Sequence, residues 1–225
     1  MGLADKLETT IRDESLQETA ASLAEIGLDT LLDDGILRDI PLIGTLIGIA
    51  KSAVNIRDRL FIAKLRQFLN ELHDVPHETR DEMIRRINDS PEFEVNVGEK
   101  LLYITERCSD HVEAALIGRL FRSFLEERIT YREFLRLSRC VDKLMPDDLH
   151  DFIASDWQRE SAADATHLLQ TGLVYLEDPE IRVEDQWDHK SSDRYIVEGS
   201  EMTVYVTELG MKMRSILCPQ SSGNK

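Results

Sequence analysis

The arrangement in this chain closest to a catalytic or metal-binding motif is a pair of histidines four residues apart, His73 and His77. On one face of a helix that spacing lets two imidazoles share a divalent cation. Pro76 lies between them and breaks the helix the geometry needs, so no metal site is expected there. His111, His150, His167 and His189 lie far apart and make no recognisable ligand set. Cys108, Cys140 and Cys218 are an odd set without Cys-x-x-Cys spacing, which argues against a zinc site or a disulfide framework and for a reducing compartment. Cys108 and Cys140 fall on helical apolar patterns and read as buried small hydrophobes. No Gly-x-Ser-x-Gly, Walker A, dinucleotide fingerprint or His-Glu-x-x-His occurs. Carboxylates are so abundant that no pair stands out as acid and base. These residues point to a non-enzymatic protein with no cofactor.

The remaining patterns belong to docking rather than to reaction. Residues 40–50, Ile-Pro-Leu-Ile-Gly-Thr-Leu-Ile-Gly-Ile-Ala, carry no charge. Leu42, Ile43, Leu46, Ile47 and Ile49 make the run apolar. Gly44 and Gly48 share a helix face on which another helix can approach closely. Lys51, Arg57, Arg59, Lys64 and Arg66 follow, placed to meet anionic headgroups or acidic neighbours such as Asp58 and Glu71. A spanning helix needs about 20 apolar residues, and a run of about 10–14 is more often a buried core helix. The buried reading, with the cations paired inside the molecule, is therefore preferred. A membrane-inserting or helix-docking element is the alternative.

Positioning these residues falls to a front part, 1–146, that reads as wholly helical. Leu16, Leu23, Ile26 and Leu31 mark a first segment closed by Asp33-Asp34-Gly35. A helix from Pro41 runs through Leu46, Ile49, Ala53, Ile56, Leu60, Lys64 and Phe68 to the Asp74-Val75-Pro76 turn. Met83, Ile84 and Ile87 lie on the next helix. Ser90-Pro91 reads as the cap and first turn of another, through Val97, Leu101 and Ile104. Asp110-x-x-Glu113 and Thr130-x-x-Glu133 fit capping boxes opening two helices, expected to pair as an antiparallel hairpin. Pro146-Asp147 marks the domain boundary, followed by a short helix, 149–157. The fold class expected is mainly α, a helical front domain before a small α+β domain, with 218–225 a disordered tail.

Charge decides what the back part can bind. The whole chain carries −16, with 42% hydrophobic and 31% charged residues, enough for a packed core under a solvated surface. Residues 147–210 hold four Lys and Arg against sixteen Asp and Glu, a net of −12. Duplex DNA carries a negative charge about every 1.7 Å and is held mainly by Lys and Arg, so no nucleic-acid partner is expected. The opening residues, Met1-Gly2-Leu3-Ala4-Asp5-Lys6, lack the apolar core of a secretion signal, and Lys6 stands where myristoylation would favour Ser or Thr. A cytoplasmic location follows, peripheral to a membrane at most.

The back part has a definite pattern: a helix-like stretch at 161–172, a strand-like Tyr175-Leu176, a polar excursion at 178–201 read as a long wing or a loop, then a β-rich run at 202–206. Thr207 caps the next helix, and Tyr205, Thr207 and Gly210 form a Tyr-x-Thr-x-x-Gly motif. Over residues 147–217 this resembles a winged-helix domain. The same motif and the general layout also resemble, more distantly, the C-terminal part of bacterial abortive-infection alpha proteins, which join an apolar helical front to a strand–Thr-x-x-Gly–helix close. The winged-helix resemblance, with the charge, implies a bacterial interaction or regulatory module that binds a protein partner or itself. The second resemblance implies a membrane-perturbing effector of phage-defence type, with residues 42–56 as its active element.

Overall fold

The computed structural model describes residues 2–17, 56–91, 93, 96–179, 181–185, 195–199 and 201–218 of the 225-residue chain. The protein is mainly helical, with a small antiparallel sheet near the C-terminus. It divides into two compact units, Met1–Asp142 and Lys143–Lys225. The segments expected at 18–55, including Leu42, Ile43, Gly44, Leu46, Ile47, Gly48 and Ile49, and the tail at 219–225, lie outside the described residues.

In the first unit the described helices are α1 (Leu3–Arg12), α2 (Ile56–Asn70), α3 (His77–Asn88), α4 (Val97–Arg107), α5 (His111–Leu125) and α6 (Tyr131–Lys143). Leu7 and Ile11, one turn apart on α1, are fully buried, and α1 packs on α3 and α4. A Cβ at Gly98 would collide with the carbonyl oxygen of Ala4, so that glycine sets the α1–α4 approach. Glu8, nearly buried on α1, is not left with a bare charge. It accepts from Asn88 Nδ2 (2.9 Å), Asn96 Nδ2 (2.8 Å) and Arg12 (3.2 Å). Arg80 is buried and donates to the carbonyls of Val75 (2.7 Å) and Asp13 (2.6 Å), tying α1 to the turn before α3. Burial pushes the pKa of this guanidinium down. Its backbone acceptors satisfy two of its donors where a lone buried cation would be costly.

Three sequence expectations are corrected here. The helix predicted from Ser90-Pro91 begins instead at Val97. Ser90 O accepts from Phe93 N in a turn, and Asn96 Oδ1 caps α4 by accepting from Gly98 N (2.8 Å) and Glu99 N (3.4 Å). Asn96 thus caps one helix and holds Glu8 of another, a pairing no local pattern announces. Ile56 and Leu60, expected on the buried stripe of α2, are 77% and 58% exposed. The face that turns inward carries Ile62, Ala63, Leu65, Phe68 and Leu69, because α2 packs chiefly along α5. That α2–α5 crossing also corrects the expected partner of α5. A Cβ on Gly118 would lie 2.8 Å from Glu71 Cβ and 2.9 Å from Phe68 O, so the close crossing needs this glycine.

The two capped helices α5 and α6 still meet, through aromatic rings near their joined ends. Phe121 and Phe134 have centroids 5.2 Å apart and Phe124 and Tyr131 5.4 Å. Both predicted N-caps form, the second as a full capping box and the first with Glu113 bonding Ser109 N in place of Asp110 N. Asp110 accepts from Val112 N and Glu113 N, and Glu113 reaches back to Ser109 N at 2.6 Å. Thr130 and Glu133 exchange the reciprocal pair of bonds, Glu133 Oε2 accepting from Thr130 N at 2.8 Å.

The second unit runs α7 (Pro146–Ala154), β1 (Arg159–Ser161), one 3-10 turn (Thr166–Leu168), β2 (Val174–Leu176), β3 (Ile181–Asp185), β4 (Tyr195–Gly199), β5 (Thr203–Val206) and α8 (Glu208–Leu217). The expected helix at 149–157 starts three residues earlier, with Pro146 in its first turn, and stops at Ala154. The expected helix at 161–172 is absent. Ser161 pairs with Thr203 in the sheet. Its carbonyl then accepts from both Asp164 N and Ala165 N, closing a turn where a helix would have begun. Gly172, at φ 77°, ends the stretch in a conformation that suits glycine.

The three-stranded sheet has the order β1-β5-β2, all neighbours antiparallel. The hairpin β3–β4 continues the pairing of β2 with β5 in the same register. Leu176 opposes Val204, Glu177 N bonds Thr203 O at 2.9 Å, and Ile181 opposes Gly199. Within the polar excursion, the described residues 181–185 and 195–199 thus form a two-stranded antiparallel ribbon whose register matches that of the sheet.

Candidate interaction surface

Alternation along the strands decides which side chains of the sheet meet solvent. Val174, Val204 and Val206 are buried. Tyr175 and Tyr205, opposite each other on β2 and β5, take the other face. Their rings stack with centroids 5.6 Å apart and planes 21° apart, and Tyr175 is 53% exposed. Arg159 of β1 flanks Tyr205 on its second side and is exposed. A row Arg159–Tyr205–Tyr175 thus crosses all three strands. Thr203 and Glu177 occupy the next row, and Glu177 and Glu201 are exposed.

Two devices hold this surface rigid from behind. Thr207 caps α8, its hydroxyl accepting from Gly210 N (3.1 Å) and donating to Gly172 O (2.8 Å), while its own N–H bonds Leu173 O (2.9 Å). The start of α8 is thereby pinned to the backbone that leads into β2, the strand that carries Tyr175. Gly210 lies against the same carbonyl, where a Cβ would collide with Leu173 O and come within 2.8 Å of Val206 Cγ1. Deeper in the unit, Arg214 donates to Phe152 O (3.0 Å), Trp157 O (2.6 Å) and Ser155 Oγ (2.7 Å). Its guanidinium carbon sits 4.3 Å from the Phe152 ring centroid and 4.6 Å from that of Trp157. Those acceptors include Phe152 O in the last turn of α7, which also accepts from Ser155 Oγ and where a cation is favoured. Burial lowers the pKa of Arg214, partly opposed by Asp156.

Of the site residues read from the sequence, Tyr205, Thr207 and Gly210 come together at the β5–α8 junction. Arg57 is exposed and meets Glu106 Oε1 at 3.4 Å, with Lys64 Nζ donating to Glu106 O at 3.1 Å. An ion pair so exposed contributes little. Arg59 is exposed on the same helix. Sequence reasoning missed Arg159, Tyr175 and Arg214 as a group. Tyr175 was legible as a strand residue, but its stacking partner depends on a register set across 30 residues.

The two histidines of the spaced pair make local contacts. His73 engages Asn70 O and Asp74, and His77 engages Glu78. Among the described residues no group of three or more His, Cys, Asp or Glu is placed to hold a metal ion. Among the same residues no helix is long and apolar enough to cross a membrane.

Cys108 and Cys140 are buried and Cys218 is exposed. Burial, with the charge of Glu113, raises the Cys108 thiol to about 12. The thiolate is the reactive form, so Cys108 is inert in the folded chain at neutral pH. Titration with a thiol reagent is expected to label Cys218 quickly and Cys108 and Cys140 only on unfolding. Fast labelling of Cys108 in the native protein would contradict that burial.

The fold and surface thus define a mainly helical protein with a small α+β unit that presents an aromatic sheet face. Comparison with family models, curated proteins and solved structures returns no match to this chain.

Proposed function

We propose that this chain is a non-enzymatic interaction or regulatory module of winged-helix-like design, whose acidic C-terminal unit binds a protein partner or a second copy of the chain. The observation that carries this reading is the exposed, stacked Tyr175–Tyr205 pair beside Arg159. Tyr and Arg are the residue types that dominate binding hot spots, and here they stand on a braced sheet, not on a loop. Two features argue against a duplex-binding job for the same unit. Its residues 147–210 carry −12. The 12 residues between β1 and β2 hold one 3-10 turn in place of a helix that could enter a groove.

The test is photo-cross-linking in cells from a reactive amino acid placed at Tyr175, with the same group at exposed Glu99 as the comparison. Protein adducts specific to position 175, to another protein or to the chain itself, are expected. Identical adducts from both positions would defeat the proposal. So would sub-micromolar binding to random duplex that weakens steeply with salt.

A further inference from the structure

We infer that the solvent face of the β1-β5-β2 sheet takes an extended, arginine-bearing segment of its partner, with a guanidinium laid over Tyr175 and Tyr205 and a neighbouring cation held by Glu177 and Glu201. The inference rests on the module reading above and adds to it the chemistry of the occupant.

Three observations select that chemistry. Two tyrosine rings, stacked at 5.6 Å and one of them half exposed, offer a wide π surface toward solvent. A planar guanidinium stacks on such a surface better than an ammonium does. Next, Thr203 shares the outward face with Tyr205; Glu177 N bonds Thr203 O, which sets Glu177 beside that row, and Glu201 lies two residues before Thr203 in the chain, both carboxylates being exposed. The aromatic pair is therefore bordered by carboxylates on the side leading toward the ribbon. Finally, the whole chain carries −16, which repels a second copy and draws in a cationic partner.

Arg159 gives the face a direction. It stands at the β1 edge of the tyrosine row, so a second cation is excluded there and the segment's positive charge is confined to the β2 side. A polyanionic surface alone would show no such direction. The segment lies across the strands or along β2, reaching the rings with one arginine and the carboxylates with the next basic residue.

The experiment uses the full chain and a fluorescent, end-capped peptide of alternating glycine and arginine, with lysine-for-arginine and glutamate-for-arginine versions as comparisons. Anisotropy is read at about 0.15 M salt, where exposed charges more than about 8 Å apart are largely screened. The arginine peptide is expected to bind more tightly than the lysine peptide, and the glutamate peptide not at all. Removing one ring, Tyr175→Ala or Tyr205→Ala, weakens arginine-peptide binding about two- to fivefold, and removing both weakens it about tenfold. The double Tyr→Phe variant keeps binding within about twofold, which excludes a folding artefact. Glu177→Gln with Glu201→Gln flattens the salt dependence and leaves the preference for arginine.

Equal binding of arginine and lysine peptides, or binding unmoved by the double alanine variant, overturns the inference. So does absence of binding to the arginine peptide. Cross-links from position 175 to a partner lacking a basic segment would sink this inference and leave the module reading intact. Peptide binding as expected, with no position-specific protein adducts in cells, would sink the module reading instead.

Discussion

Replacing Gly210 by alanine is expected to unfold the C-terminal unit at temperatures where the wild-type chain is intact. The added methyl would strike the Leu173 carbonyl, sit 2.8 Å from Val206 Cγ1 and 3.2 Å from Phe152 Cζ. Backbone just before β2, a core strand residue and a ring of α7 would have to yield together, and none is the loose end of a flexible side chain. Overpacking of this kind costs about 1–3 kcal/mol, and a clash with backbone belongs at the upper end. For a unit of this size each kcal/mol lowers the melting temperature by about 4–8 °C, so a drop on the order of 10 °C or more is expected. Gly2→Ala is the control, because its nearest neighbour, Asp5 Oδ2, is an ordinary 3.7 Å away. Melts of the two variants by circular dichroism decide the matter. Coincident curves would mean that α8 does not lie as close to the sheet as described.

Arg214→Lys is expected to be nearly as damaging, although it keeps the charge. The guanidinium satisfies Phe152 O, Trp157 O and Ser155 Oγ in three directions at once and packs against two rings. An ammonium on a flexible stem reproduces neither the fork nor the stacking. Hydrogen bonds from a charged donor are worth about 1.5–3 kcal/mol each and are not additive when one group makes them all. A net loss of about 2–3 kcal/mol is expected for lysine. Arg214→Met should cost at least as much, since it fills the space but takes the charged donor from Trp157 O and leaves Phe152 O with only the Ser155 hydroxyl. Urea unfolding followed by Trp157 emission, in a Trp187→Phe background that leaves Trp157 the sole tryptophan, reads both stability and the ring's surroundings. A lysine variant with the wild-type midpoint would show that packing of the stem, not the fork, holds α7 to α8.

The parts of the fold legible in the sequence are those set by neighbours along the chain. Asp110 with Glu113, Thr130 with Glu133 and Thr207 with Gly210 are local caps, and each forms as its spacing predicts. The inward residues of α3, Met83, Ile84 and Ile87, follow from helical periodicity. What escaped the sequence depends on distant partners. Strand β1 is three residues long and exists because β5, more than 40 residues later, supplies its bonds. Its formation consumes Ser161, and the helix that the following apolar spacing suggests is replaced by turns. Asn96 caps α4 because Glu8, 88 residues earlier, orients its amide. The candidate surface was half legible for the same reason. Tyr205 belonged to a recognisable strand–cap–helix motif, whereas its pairing with Tyr175 and Arg159 required the register. Arg214 gave no signal, because its acceptors lie 57–62 residues away.

The shared register of the two ladders couples the lengths of the ribbon's arms. Leu176 opposes Val204 and Ile181 opposes Gly199, so each arm runs from one ladder to the other with the same number of residues. Losing one residue between Leu176 and Ile181 would put the β3–β4 ladder one residue out of step with that of β2 and β5. Matching losses on both arms would restore the alignment. The chain can lengthen or shorten its ribbon only in matched steps, like a ladder that loses whole rungs.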